Sequence, residues 1–270
     1  MDLSSKLQNL PKPNIINLAE CVDRRAWSES EFKRHGVDDV RVHVYDRYEE
    51  GVSIPFIGEP EIVNVITKGV TSSHLLTIKW WLENTDEEYG LFFEDDVDYE
   101  TIQHWNFTLE DYINKCNEYE WGALHMCNVF EYPYDYRNEY MPFVPRKRNI
   151  WDHGLQAYAL KRWYAEKLVE YYFGDFEDKI HYRMPLGSAI TTENNILHGF
   201  GLVISFPLFN HNVTDFRSKN IYFYNKQANT AVYSYEFVDL WWKKWGSDLS
   251  LEEVFDNSRC SDFIYGELTE

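Results

Sequence analysis

Five carboxylates lie within the seven residues from Glu94 to Glu100, directly after the apolar residues 91–93. An uninterrupted apolar run is typical of a strand buried in a parallel sheet. Ligands of open α/β sheets bind beyond the carboxyl ends of such strands. Acidic side chains at that point repel one another unless a cation lies among them, and magnesium-type ions take carboxylate oxygens together with substrate phosphates. The stretch therefore predicts a metal–diphosphate site at the edge of a sheet.

The spacing of the acids indicates which of them share a side of the chain. Alternate side chains of an extended chain face the same way, so we expect Glu94, Asp96 and Asp98 on one side and Asp95 on the other. Glu94 and Asp96 are the primary predicted metal ligands, and Asp98, at the acid-x-acid (DxD) spacing from Asp96, is a further candidate. A solvated acidic loop that binds nothing is the competing interpretation.

The surrounding sequence alternates between strand-like and helix-like segments. Strands are predicted over residues 14–18, 40–45, 62–66, 89–93, 123–129, 154–160 and 202–206. Helices are predicted over residues 23–35, 71–84, 109–116, 162–173 and 231–245. This order predicts an α/β fold with a mostly parallel sheet. Residues 1–13 are expected to form a loose tail, and residues 130–143 a long loop over the site.

Composition narrows the class of protein. The chain has 270 residues, 44% of them hydrophobic, and a formal net charge of −19. Such a charge argues against nucleic acid or an anionic membrane surface as the main partner. No apolar run approaches the roughly 18 residues that span a bilayer. The four cysteines have no metal-type spacing and no secretory signal opens the chain, so reduced thiols and a cytoplasmic location are expected. The sequence does not indicate an oligomeric state.

Four segments of the chain resemble one family of enzymes. They are Asn-Ile-Ile-Asn-Leu at 14–18 with Asp-Arg-Arg at 23–25, Lys-Gly-Val-Thr-Ser-Ser-His-Leu at 68–75, Phe-Phe-Glu-Asp-Asp-Val at 92–97, and Gly-Leu-Gln-Ala-Tyr at 154–158. In order and spacing they resemble segments of glycosyltransferase family 25, which includes transferases that build lipooligosaccharide.

The resemblance, which extends from residue 14 to residue 173, implies a GT-A-like fold. It also implies a metal-dependent and inverting transfer of a sugar from a nucleotide-sugar donor, for which we expect a UDP-sugar, to a glycan or other hydroxyl acceptor. Mn²⁺ or Mg²⁺ would be the cofactor. We expect a catalytic domain over residues 14–215, with a donor half at 14–130 and an acceptor half at 131–215. Residues 216–270 would form an aromatic, helical extension packed on that domain.

The same resemblance points to residues that would hold the donor. Arginine matches phosphate oxygens with a planar fork, although an arginine pair at a helix start is also a common surface feature. A late histidine often joins the metal in GT-A enzymes, and a loop histidine is the alternative for His211. Asp95 is expected to hold the ribose or the donor sugar, and Asp46 the base or ribose. The predicted donor-binding residues are Asn17, Leu18, Arg24, Arg25, Asp46, Lys68, His74 and Asp95.

An inverting transfer needs a carboxylate that takes the proton of the acceptor hydroxyl. The candidates are Asp152, Glu193 and Asp215, and Glu193 is preferred over Asp152. The alternative for Glu193 is a helix-start acid favoured by the helix dipole. Asp96 also counts among the catalytic candidates, because it would carry the metal. Tyrosines of the predicted loop offer rings for sugar stacking: Tyr132, Tyr134 and Tyr136.

Two other classes of protein compete with the transferase. A noncatalytic protein that binds carbohydrate or nucleotide would keep the fold but would not need the whole acidic run. A metal-dependent phosphodiesterase or nucleotidyltransferase would need a second carboxylate cluster at another strand end, as two-metal sites do. The sequence shows no such second cluster.

Overall fold

The computed structural model describes residues 2–58, 64–130, 145–148, 152–174, 178–181, 192–197, 199–211, 235, 238–244 and 246–256. The strands are β1 (Asn14–Leu18), β2 (Arg41–Tyr45), β3 (Phe56–Ile57), β4 (Tyr89–Glu94), β5 (Val97–Asp98), β6 (Trp121–Cys127), β7 (Val129–Phe130), β8 (Arg146–Lys147), β9 (Asp152–His153), β10 (Ala157–Lys161), β11 (Ile180–His181) and β12 (Leu202–His211). The helices are α1 (Val22–Arg34), α2 (Val65–Asn84), α3 (Leu109–Cys116), α4 (Arg162–Phe173) and α5 (Thr192–Ile196), followed by helical residues 238–244 and a last short helix, Leu251–Asp256.

One large sheet forms the centre of the molecule. Its strand order is β2-β1-β4-β10-β6-β12-β5, and β8 pairs with β12. β1 is parallel to β2 and β4, and β6 is parallel to β12. β10 lies between β4 and β6 and is antiparallel to both. The predicted α/β class is confirmed, and the sheet is mixed because β10 opposes the direction that the other long strands share.

Helices cover both faces of this sheet, and β4 shows why. Leu91 and Phe93 point into one hydrophobic cluster, which contains Phe32 of α1. Phe92, between them, points into the other cluster, which contains Ile78 of α2. Successive side chains of a strand face opposite sides, so a strand buried on both faces is apolar at every position. The apolar run that precedes the acids therefore has the environment expected for it.

The strand order reverses between β1 and β4. The chain passes from β1 through α1 to β2 on one side, and then through α2 to β4 on the other side of β1. Parallel strands place their carboxyl ends at one edge, and a crevice opens where the order reverses. Leu18, Tyr45 and Glu94 end the three strands at this edge, and His211 ends β12 farther along it.

The start of α2 differs from the prediction. A strand was expected over residues 62–66, but Val65 and Ile66 form the first turn of α2, so the expectation is wrong for residues 64–66. The Asn64 side chain accepts a hydrogen bond from the Thr67 amide at 2.9 Å and caps the helix. β-Branched residues favour strands only weakly, and here an N-cap of the preferred residue type prevails.

Two helix ends follow the sequence signals closely, whereas β12 extends past its predicted end. Thr108 and Asp111 form the predicted capping box at the start of α3. Gly36, predicted to end the first helix, has φ +80°, a left-handed conformation that glycine adopts without strain. β12 continues to His211, past the predicted end at residue 206. Pro207 lies where the register with β6 shifts, which is one of the places that accept proline inside a strand.

The N-terminal segment packs on the body of the protein, in contrast to the expected loose tail. Leu7 belongs to the core. The buried Lys6 ammonium donates to the carbonyl oxygens of Ile102 at 2.7 Å and Gln103 at 3.1 Å. An apolar anchor and a satisfied buried cation together hold this segment in place.

The C-terminal aromatic residues also join the core. Trp241 and Trp242, within helical residues 238–244, are fully buried, and the Trp242 indole donates to the Pro207 carbonyl at 2.9 Å. The rest of the helix predicted over 231–245, and residues 131–143 of the predicted loop, lie outside the described residues. Within the described part of the chain, no helix is both long and apolar enough to cross a membrane. Cys21, Cys116 and Cys127 are free thiols, and Cys260 is not among the described residues.

Candidate functional site

A cavity of about 390 Å³ opens at the edge of the sheet where the strand order reverses. This volume lies in the range of small-molecule sites. The walls come from the ends of β1, β2, β4 and β12, from the loop after β2, from the first turn of α1 and from the N-terminal half of α2. The sequence-predicted residues that line it are Asn17, Leu18, Arg24, Asp46, His74, Glu94, Asp95, Asp96 and His211.

Arg24 of α1 bridges two adjacent carboxylates at the end of β4. Its guanidinium contacts Asp95 Oδ1 closely and lies 3.0 Å from Asp96 Oδ2. Asn17, at the end of β1, donates to the other oxygen of Asp95 at 2.5 Å. His211 Nε2 lies 3.5 Å from Asp96 Oδ2. Residues from α1, β1 and β12 therefore contact two acids, Asp95 and Asp96, that are adjacent in sequence.

The electrostatics of this group follow from burial and from the pairing. Burial and the neighbouring Asp96 raise the pKa of Asp95, although Arg24 and Asn17 oppose that shift. Burial also acts to raise the pKa of Asp96, but Arg24 and His211 outweigh it and lower that pKa below its usual value. Burial acts to lower the pKa of His211, and the contact with Asp96 more than compensates, so it is raised. Asp96 is therefore held as the anion.

Glu94 is oriented by a chain of hydrogen bonds that passes through α2. His74 Nε2 lies 3.1 Å from Glu94 Oε1, and His74 Nδ1 lies 2.8 Å from the Tyr158 hydroxyl. A carboxylate can only accept a hydrogen bond, so Nε2–H of His74 donates to Glu94. In the neutral imidazole Nδ1 then accepts from the Tyr158 hydroxyl, whose pKa is raised far above its usual value by burial. The carboxylate is held at the cavity wall in one orientation.

Asp98 lies away from the cavity. The chain turns at residues 95–96, so the strand-like alternation expected from Glu94 to Asp98 does not continue. β5, which contains Asp98, pairs antiparallel with β12. Asp98 Oδ1 accepts from the Glu100 amide at 2.7 Å, and its carboxylate hydrogen-bonds the Tyr235 hydroxyl. These partners direct Asp98 into the interior.

Two other predicted donor-binding residues do not line the cavity. Lys68 pairs with Glu50 at 2.6 Å, and the Arg25 guanidinium lies 3.4 Å from Asn17 Oδ1. Asn17 itself binds Asp95, so Arg25 touches the site through one intermediate residue.

The predicted general bases also lie apart from the cavity lining. Asp152 forms a two-pronged ion pair with Arg146, one contact of which is 2.7 Å. Glu193 Oε1 accepts from the Gly154 amide at 3.1 Å. Both acids act electrostatically on the buried Arg148, whose guanidinium donates to the Asp152 backbone carbonyl at 2.8 Å. Four further candidates lie outside the described residues: Tyr132, Tyr134, Tyr136 and Asp215.

One wall of the cavity is apolar, which the sequence did not reveal. Val65 and Ile66 in the first turn of α2 are 49% and 61% exposed, a high value for such side chains. Tyr48 lies beside them, and an ideal Cβ at Gly69 would be 3.2 Å from Tyr48 Cβ, so this glycine lets the helix approach that loop. This wall was not predicted from the sequence, because the strand expected over residues 62–66 includes Val65 and Ile66.

The residues fit a divalent cation that takes most of its ligands from a substrate. Within the described ranges, no group of three or more His, Cys, Asp or Glu side chains is arranged to hold a metal. Asp96 Oδ1 and His211 Nδ1 are buried, and neither has a hydrogen-bond partner among those residues. Mg²⁺ usually keeps one or two protein carboxylates and fills its sphere with phosphate and water oxygens.

Comparisons with known proteins leave the family open. No protein-family model matches the chain, and no curated protein matches it. The crystal structure of A197 from STIV is similar at a TM-score of 0.35 with 10% sequence identity, over 73% of this chain and 83% of that one. A similarity of that size supports no statement about fold or function.

Proposed function

We propose that this protein is a metal-dependent glycosyltransferase that uses a nucleotide-sugar donor, with a UDP-sugar as the first choice. The observation that carries the proposal is that one cavity is lined both by exposed apolar side chains, Val65 and Ile66, and by the charged group of Arg24, Asp96 and His211. A nucleoside diphosphate likewise combines a base that packs on apolar surface with a charged diphosphate. The location at the reversal of strand order is where open α/β sheets bind ligands.

The charged end suits a diphosphate. Arg24 presents a planar donor group, which matches phosphate oxygens better than a point charge does. Asp96 and His211 are the residues that would hold a divalent cation there, and their unpartnered atoms support that assignment. A bound Mn²⁺ or Mg²⁺ would stabilise the negative charge that develops on the leaving diphosphate. The apolar wall beside Tyr48 would take the base.

Glu94 is the residue that we propose as general base. It lines the cavity, whereas Glu193 and Asp152 do not. His74 holds its carboxylate in place, and a positioned carboxylate is what proton abstraction needs. In the proposed reaction the acceptor oxygen bonds to the anomeric carbon, the bond from that carbon to the diphosphate breaks, and Glu94 takes the acceptor proton. The configuration at the anomeric carbon inverts.

Calorimetric titration of UDP with and without Mn²⁺ tests the donor site. Wild type is expected to bind UDP in the presence of Mn²⁺, and Asp96→Asn to bind it at least tenfold more weakly. Asp98→Asn is the matched comparison, because Asp98 belongs to the same acidic run but does not line the cavity. It is expected to bind UDP like wild type.

Turnover tests the chemical role separately. Glu94→Gln is expected to bind UDP with Mn²⁺ as wild type does, but to lose release of UDP from a UDP-sugar in the presence of hydroxyl acceptors. UDP binding by a wild-type protein that turns over no sugar nucleotide would identify a noncatalytic binding protein instead. Failure to bind UDP, GDP or CDP under every metal condition would refute the proposal.

A further inference from the structure

Arg24 occupies the position of a counter-ion within the acidic group. Its side chain is 16% exposed and touches both Asp95 and Asp96, and its Nε has no hydrogen-bond partner among the described residues. Asp95 has a second donor in Asn17. Asp96 has no second donor of that strength, since His211 Nε2 is 3.5 Å away and the other carboxylate oxygen is unpartnered within the described part of the chain.

Arg24 thus neutralises Asp96, the acid that we propose as the metal ligand. A divalent cation on Asp96 would lie close to the guanidinium that contacts the same carboxylate. Like charges at such distances repel strongly when water is excluded. Moving Arg24 away without replacement would leave Asp95 and Asp96 side by side with less compensation, which is also unfavourable.

A diphosphate resolves this conflict, because it offers Arg24 a different set of anionic oxygens. Guanidinium–phosphate pairs form charge-assisted, two-pronged hydrogen bonds of the same kind as guanidinium–carboxylate pairs. The exchange therefore preserves the interactions of Arg24 while it frees Asp96.

We propose that Arg24 links metal binding to diphosphate binding: it competes with the metal for the Asp96 carboxylate and transfers to the diphosphate when the metal binds. This inference rests on the proposed function for its ligand, a metal–diphosphate. In this positioning role Arg24 does more than contact a phosphate. Removing the Arg24 charge is expected to strengthen metal binding in the absence of diphosphate. A residue that only braced α1 against β4 would not have that effect.

The test measures Mn²⁺ affinity by electron paramagnetic resonance of the free ion, with protein-free controls for the Mn²⁺–diphosphate complex. The variants are Arg24→Gln, which removes the charge, and Arg24→Lys, which keeps it. Arg34→Gln is the matched control, because Arg34 lies on the same helix but pairs with Glu31 and Glu100 at the surface. Circular dichroism establishes that each variant is folded.

Without diphosphate, Arg24→Gln is expected to bind Mn²⁺ at least tenfold more tightly than wild type, while Arg24→Lys and Arg34→Gln stay within about threefold of it. Saturating inorganic diphosphate is expected to strengthen Mn²⁺ binding by wild type at least tenfold and to remove the advantage of Arg24→Gln. Equal or weaker Mn²⁺ binding by folded Arg24→Gln would overturn the inference.

If Arg24→Gln does not fold, Mn²⁺ binding by wild type with and without diphosphate still tests the inference. No strengthening of Mn²⁺ binding by diphosphate would overturn the link. Nucleotides and sugar nucleotides test the proposed function separately. If inorganic diphosphate strengthens Mn²⁺ binding but no nucleotide or sugar nucleotide does, the role of Arg24 is supported and the transferase proposal is refuted.

Discussion

Acid should destabilise this protein through His125, a fully buried residue on β6. Burial, with a contribution from the Arg148 charge, lowers the pKa of His125 to about 3. Its Nε2 lies 2.5 Å from the Gly154 carbonyl, which can only accept, so Nε2 carries the proton. Nδ1 must then accept from the Ser205 hydroxyl at 3.2 Å, and that hydroxyl accepts in turn from the Asn128 amide at 2.8 Å. Protonating Nδ1 would turn it into a donor, so the Ser205 hydroxyl would lose its acceptor and have to reorient.

The sign follows from linkage. The unfolded state takes up the His125 proton near pH 6.5, whereas the folded state does so only near the lowered pKa of about 3. The unfolded state therefore binds more protons in between, and the free energy of unfolding falls as the pH falls below 6.5. Each pH unit within that window costs about 1.4 kcal/mol, so the loss between pH 7.5 and pH 5.0 is about 2 kcal/mol.

Urea unfolding at those two pH values, on wild type and His125→Gln, measures the effect. The variant keeps a donor for Gly154 and loses the titration, so it should be less stable at pH 7.5 but lose about 2 kcal/mol less on acidification. Other titrating groups contribute equally to both proteins and cancel in the comparison. The same pH dependence in wild type and His125→Gln would refute the reasoning.

Three further substitutions test the packing of the core and the cap of α2. Gly90→Ala should lower the free energy of unfolding by about 1–3 kcal/mol, because the new Cβ would lie 2.8 Å from the Trp81 ring; an unchanged urea midpoint would contradict this. Asn64→Ala removes the cap on the Thr67 amide and should cost about 1 kcal/mol, with faster amide hydrogen exchange confined to the first turn of α2. Trp242→Ala should cost about 3–5 kcal/mol in urea unfolding, whereas a loss below 1 kcal/mol would mean that this segment contributes little to the core.

Local signals in the sequence were sufficient for the longer helices and strands, but not for the two-residue strands β3, β5, β7, β8, β9 and β11. The capping pair Thr108 and Asp111 and the glycine at position 36 mark helix ends by backbone chemistry that acts within four residues. The direction of β10 could not be predicted from such local signals, because periodicity indicates which side chains are buried but not which way a strand runs. Its place between β4 and β6 depends on pairings distant in sequence, such as Tyr158 with Phe92 and with His125.

The candidate site divides in the same way. Placing the acids after an apolar strand predicted correctly that Glu94, Asp95 and Asp96 lie at a strand end. Tyr158 could have been predicted from the sequence as a site residue, since it ends one of the segments on which the family resemblance was based. The apolar wall of the cavity could not be predicted, because it depends on where α2 begins. The inward direction of Asp98 could not be predicted either, because it depends on pairing with β12.

The turn after β4 divides one short acidic run among three parts of the fold. Glu94 is held from α2, Asp95 from α1 and β1, and Asp96 from α1 and β12. Each acid has a different set of partners, although Asp95 and Asp96 share Arg24, so the three adjacent substitutions should have three different effects. Amide replacement should remove turnover at Glu94, weaken metal binding at Asp96, and at Asp95 loosen the contact between α1 and the sheet. A simple acidic loop in solvent would give three similar and small effects, because exposed carboxylates that share no partners are energetically interchangeable.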